Sequence, residues 1–154
     1  MIAELAGIEA LRSLPAEGLE RLARMARQRE FPAGALLMRQ GDPSESIHFI
    51  VRGLVRVERA VAGHPGPLLL AELGAGETVG ERGVLYCEPR SATVTALEDT
   101  ETIELDTSAL AMIGLRYPDT GQSLIRMVGV RQRITLARER QATAPSAQGP
   151  DRSP

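Results

Sequence analysis

The chain has 154 residues, a formal net charge of −2 at pH 7 and 43% hydrophobic residues. That length gives one domain that buries its core without disulfides, and the single cysteine, Cys87, excludes a disulfide framework and a cysteine-held iron–sulfur cluster. The slightly negative balance argues against a dedicated nucleic-acid binder, and the lack of a membrane-length apolar run or a basic–apolar leader makes a cytoplasmic protein the expectation.

Residues 2–29 read as helical. Leu5, Ile8 and Leu11 recur at helical spacing before a break at Pro15, and Leu19, Leu22, Ala23 and Ala26 make a second apolar stripe. Glu17, Glu20, Arg21, Arg24 and Arg27 lie outside that stripe. They suit a solvated face better than a nucleic-acid face. Ser13-Leu14-Pro15-Ala16-Glu17 reads as a capped helix start. From Glu30 the period falls to two. Residues 36–39 make a strand candidate, residues 40–44 a turn, and residues 46–52 an alternating strand with Ile47, Phe49 and Val51 inward. His48 within that run reads as structural or solvent-facing rather than catalytic, and neither it nor His64 has metal-ligand spacing. Leu54, Val55 and Val57 return as a hairpin partner after Gly53, and residues 68–73 make a further strand.

Residues 79–94, VGERGVLYCEPRSATV, carry the chemistry. They read as a strand end, one helical turn, a loop broken at Pro89, and a new strand with Ala92 and Val94 on one side and Ser91, Thr93 and Thr95 on the other. This folds Glu81 and Arg90 onto one concavity. Arginine offers a planar fork of donors to phosphate oxygens. Backbone N–H groups near Arg82 and Gly83 add positive field, Ser91 adds a hydroxyl, and Glu81 accepts from a sugar hydroxyl. The simpler alternative is that Glu81 and Arg90 pair and close the loop. Cys87 beside them is either a redox-sensitive thiol or a plain one.

The strand continues through Ala96, and residues 102–105 return with Ile103 and Leu105 inward. Many short strands at glycine-marked intervals predict a mainly β fold with flanking helices: an antiparallel β-roll or jelly-roll barrel. Asp106 or Thr107 caps a helix to about Tyr117 on which Ala109, Leu110 and Ile113 pack against the barrel, and Pro118 starts a longer one over residues 119–141. On it Met127, Val130, Ile134, Ala137 and Gln141 follow three- and four-residue steps, a short coiled-coil pattern. Residues 142–154, rich in proline, serine, alanine and glycine, read as a disordered tail after a single domain over 1–141.

The Gly80-Glu81 and Arg90-Ser91-Ala92 elements, with the glycine-marked run Phe31-Pro32-Ala33-Gly34, Gly41-Asp42 and Ile47 to Gly53, resemble the phosphate-binding cassette and roll of the cyclic-nucleotide-binding domain family. That family includes catabolite-activator-type regulators, kinase regulatory subunits and gated channels. The resemblance implies that Glu81 takes the ribose 2′-hydroxyl and Arg90 the cyclic phosphate. Gly80, Arg82, Gly83, Ser91 and Ala92 would line the site. Val79 stands where the family often has an aromatic residue. Arg82 follows the glutamate where a smaller or apolar residue is usual, and points to solvent or bonds Glu81. Family alignment puts Thr135 opposite the base, or else as a core or solvent-facing threonine, with Leu124, Val128 and Arg131 as neighbours. The resemblance also makes the 119–141 helix a homodimer helix, against the alternative of packing on its own barrel. Family transcription factors carry a winged helix after it. This sequence has no room for one, so direct DNA binding is not expected. The expectation is a non-catalytic, stand-alone sensor of a cyclic nucleotide, cyclic AMP before cyclic GMP, read out by an effector protein not named by the sequence. The alternatives are an interaction module with a degenerate pocket, or a site for another phosphorylated ligand.

Overall fold

A computed structural model describes residues 1–143; in its last helix the side chains of residues 128–132, 134, 135, 138 and 143 fall outside the description, as do residues 144–154. The expected tail therefore lies outside it, apart from the first two of its residues, which prolong the helix.

The helical entry is α1 (Ile2–Ala6), a 3-10 turn (Glu9–Leu11) and α2 (Ala16–Met25). Eight strands follow: β1 (Arg27–Phe31), β2 (Leu36–Met38), β3 (Ser46–Arg52), β4 (Leu54–Arg59), β5 (Leu68–Gly74), β6 (Thr78–Val79), β7 (Thr93–Ala96) and β8 (Thr100–Asp106). Between β6 and β7 lies α3 (Glu81–Leu85). After β8 come α4 (Thr107–Arg116) and α5 (Pro118–Thr143). The strands form two four-stranded sheets, ordered β1-β8-β3-β6 and β2-β7-β4-β5, with every pairing antiparallel. This is the expected β-roll with flanking helices.

Two cores share the first sheet as a wall. Ile47, Phe49, Ile103 and Leu105 pack outward against Leu5, Leu11, Leu22, Leu110, Ile113 and Leu124 of the helices. Ile50, Val55, Leu73, Val79, Val94 and Met38 fill the interior between the sheets. Ile47, Phe49 and Val51, expected inward, do face a core. They belong to the helix-side core, and the opposite face of β3, with Ile50, meets the interior. Both faces of β3 are buried, so alternation alone cannot say which apolar set faces which layer.

Residues 27–29 also depart from expectation, because they belong to a strand and not to the end of the helix. Arg27 to Glu30 is exposed and polar, and it lies at the edge of the sheet against β8. Cross-strand pairing of Arg29 with Glu104 (2.8 Å), and of Gln28 with Glu101, replaces apolar alternation there. The expected cap at Ser13 does not form. Pro15 is the N-cap of α2 without a side-chain bond, and Ser13 Oγ meets Thr120 Oγ1 of α5 at 2.7 Å. Asp106 does cap α4, accepting from the Ala109 N–H at 2.9 Å. Pro118 opens α5 as expected.

Candidate functional site

The site is built where β6 leaves the sheet. Val79 is buried in the interior core, paired with His48. Gly80 then turns the chain at φ 84 and caps α3. A side chain there would be strained by that backbone, and its Cβ would strike Arg90 Nη1 and the Met38 methyl. Glycine is thus needed twice at this point, for the turn and for the guanidinium that fills its space.

Arg90 is buried and donates Nη1 to the Gly80 carbonyl at 3.0 Å. Its backbone is held by the turn after β2: Arg90 N–H donates to the Asp42 carbonyl at 2.8 Å, and Gly41 N–H donates to the Arg90 carbonyl at 2.9 Å. Burial holds the guanidinium below its ordinary pKa, and the charges of Glu104, Glu45, Asp42 and Glu81 oppose that shift. A cation surrounded by acids but bonded to a neutral carbonyl is suited to exchange that carbonyl for an anionic oxygen.

Glu81 is buried at the first position of α3. Gly83 is buried two residues on, and its missing side chain makes room for Ser44, whose Cβ would lie 2.7 Å from an added methyl. Arg82 lies beside the other acid of the loop: its Nε stands 3.4 Å from Glu88 Oε2, without hydrogen-bond geometry. Ser91 is half-buried and Ala92 buried, on alternate sides of the chain as it enters β7. Cys87 is exposed, with φ 53.

The C-terminal helix lies against this region. Thr78 Oγ1 stands 3.6 Å from Met127 Sδ, and Leu124 is buried in the helix-side core. Arg59 of β4 donates Nε to the Ser91 carbonyl at 2.6 Å and Nη1 to Glu139 of α5. Thr135 sits on α5, but its side chain is outside the described residues, as are those of Val128 and Arg131.

Sequence reasoning missed Arg59 and assigned no role to His48 beyond a structural or exposed one. His48 is buried, with Nδ1 2.9 Å from Thr102 Oγ1 and its ring edge-on to Phe31 at 5.8 Å. Burial first, then the charges of Arg90 and Arg29, push its pKa down to about 4. Glu104 Oε2 lies only 3.7 Å from Nε2, yet that carboxylate is already shared with Arg29. The imidazole is therefore neutral at pH 7, and Arg90 has no second buried cation beside it to repel. Nothing in the spacing of one isolated histidine signals this. Among the described residues no cluster of three or more His, Cys, Asp or Glu is placed to hold a metal ion, and no helix is long and apolar enough to cross a membrane.

The cyclic nucleotide-binding domain family matches residues 28–117. A cyclic nucleotide-gated potassium channel of Rhizobium etli is 31% identical over 120 residues, covering 78% of this chain and 32% of the channel. The catabolite activator protein of Thermus thermophilus superposes with a TM-score of 0.74 at 27% identity, over 86% of this chain and 62% of that one. A cAMP-binding acyltransferase from Mycobacterium smegmatis, solved as a mutant, gives a TM-score of 0.66 at 33% identity, over 82% of this chain and 39% of the other. The chain spans about a third of the length of its first curated relatives.

Proposed function

Because the chain belongs to the cyclic nucleotide-binding domain family, we propose that it is a non-catalytic sensor module whose ligand is 3′,5′-cyclic AMP. The observation that carries this reading is the buried Arg90 guanidinium folded against Gly80, with the buried Glu81 next in the chain. In this reading Arg90 takes the cyclic phosphate and Glu81 the ribose 2′-hydroxyl. Gly80, Arg82, Gly83, Ser91 and Ala92 shape the surrounding loop, and Thr135 meets the base. The two departures from the family pattern do not count against it. Val79 is a core residue, and Arg82 lies beside Glu88. Cyclic AMP is favoured over cyclic GMP by the acyltransferase relative, which is described as cAMP-binding.

Output passes through α5, to an effector protein or a second copy of the chain paired along residues 119–141. Ligand shifts the seat of α5 only through a difference in affinity between its states. Titration calorimetry with cyclic AMP and cyclic GMP tests the proposal. Arg90→Ala is expected to weaken binding by roughly 2–5 kcal/mol, as a buried anion loses its charged partner. That is on the order of 30-fold to several thousand-fold. The ligand-free protein should keep its melting temperature. No heat with either nucleotide, or an Arg90→Ala variant that unfolds without ligand while its affinity is unchanged, overturns the proposal.

A further inference from the structure

One side chain joins the loop around Arg90 to the C-terminal helix. Arg59 closes β4, and its guanidinium has two partners on different elements. Nε donates to the Ser91 carbonyl at 2.6 Å, and Nη1 donates to Glu139 of α5, 80 residues away. Only 15% of the Arg59 side chain and 21% of that of Glu139 is exposed, so solvent screens the pair less than it would a surface ion pair. The next residue is anchored as well. Ala60 N–H donates to Gln40 Oε1 at 2.8 Å, and its carbonyl accepts from Gln40 Nε2 at 3.2 Å. Gln40 N–H in turn donates to Thr93 Oγ1 at 3.0 Å. Arg59 therefore stands on a braced base, which lets it transmit displacement. Arginine suits this position because Nε and Nη1 serve a neutral carbonyl and a carboxylate from one rigid plane.

We infer that Arg59 is a positioning residue for the nucleotide site: by holding the Ser91 carbonyl and Glu139 at once, it ties the seat of α5 to the geometry of the loop beside Arg90. The inference rests on the nucleotide-binding reading above. The Ser91 carbonyl belongs to the peptide that joins Ser91 to Ala92, so holding it fixes the chain as it leaves Arg90 and with it the reach of the Ser91 hydroxyl. With the strap intact, α5 rests on the roll and the loop keeps its shape. With the strap cut at either end, both relax.

The test places spin labels at Leu69→Cys and Gln141→Cys, two exposed positions, in a Cys87→Ser background. Electron–electron distances in the ligand-free protein report the seat of α5, and stopped-flow release of cyclic AMP reports ligand retention. Arg59→Ala and Glu139→Ala should each broaden the distance distribution and each speed release about five- to tenfold. The double variant should do no more than either single one, because both cut the same link. Arg59→Lys, which keeps the charge but not the fork, should behave like Arg59→Ala; full retention by Lys means that charge alone suffices and overturns the strap. Unchanged distances, additive effects, or a freed helix with unaltered release also overturn it. Glu139→Ala changes one helix side chain and secures the result if Arg59→Ala fails to fold. If the parent protein binds no nucleotide, the functional reading fails by itself. The ligand-free distances still decide whether the strap seats the helix.

Discussion

At Gly80 a backbone turn and a buried cation occupy the same few ångströms, and the neighbouring residues carry consequences that can be measured one at a time. If Glu81 accepts from a ribose hydroxyl, Glu81→Gln should weaken cyclic AMP more than 2′-deoxy cyclic AMP by calorimetry. Equal losses would remove that role. His48 gives a pH dependence. Its folded pKa of about 4 lies below the ordinary 6.5, so the unfolded chain binds the proton first as pH falls. The contribution is absent near pH 7, where both states are neutral, and stability drops as acidity increases through the window from 6.5 down to about 4. The loss should reach about 2 kcal/mol by pH ~5 in urea titrations. His48→Gln should remove most of that slope. Both predictions concern buried residues, and they differ in how visible they were beforehand. Glu81 and Arg90 are legible because a glycine precedes one and small residues follow the other. The setting of His48 comes from Thr102 and Phe31, which touch it, and from the charge of Arg29, all distant in sequence.

Among the elements, α4 has the plainest local logic. Asp106 closes β8 and accepts from the Ala109 N–H, so one side chain ends a strand and starts a helix. Asp106→Ala should cost about 1 kcal/mol. In a chain of this size that lowers the melting temperature by roughly 2–4 °C. Strands whose apolar residues alternate, and turns marked by glycine, could be read from the chain itself. β1 could not, since Arg27-Gln28-Arg29-Glu30 carries helix-compatible residues and no apolar alternation. Its strand state comes from an edge position opposite Glu101 and Glu104, which are brought there by tertiary pairing. α2 starts within the expected stretch, but the Ser13 cap does not form for a related reason: its hydroxyl meets Thr120, far along the chain. α5 was legible as a helix from Pro118, but its contacts with Thr78 and Arg59 were not, because they join residues far apart in the chain.

For the molecule as a whole, two cores on either side of one sheet make stability and ligand binding separable yet linked. A ligand bound to the folded state alone stabilises it by about 2.7 kcal/mol at a hundred times its dissociation constant. Cyclic AMP at that excess should raise the melting temperature by roughly 5–10 °C, and Arg90→Ala should cut the rise to about 3 °C or less at the same concentration. β6 has a further consequence. It is two residues long, it lies at the edge of its sheet, and it meets β3 through His48–Val79 and Phe49–Thr78. β8, in contrast, runs along β3 from Ser46–Asp106 to Arg52–Glu101. Peeling the Gly80 turn away from the wall therefore breaks a short ladder and leaves the long one whole. Amide protons there can exchange through local opening, whereas those along β3 and β8 await global unfolding.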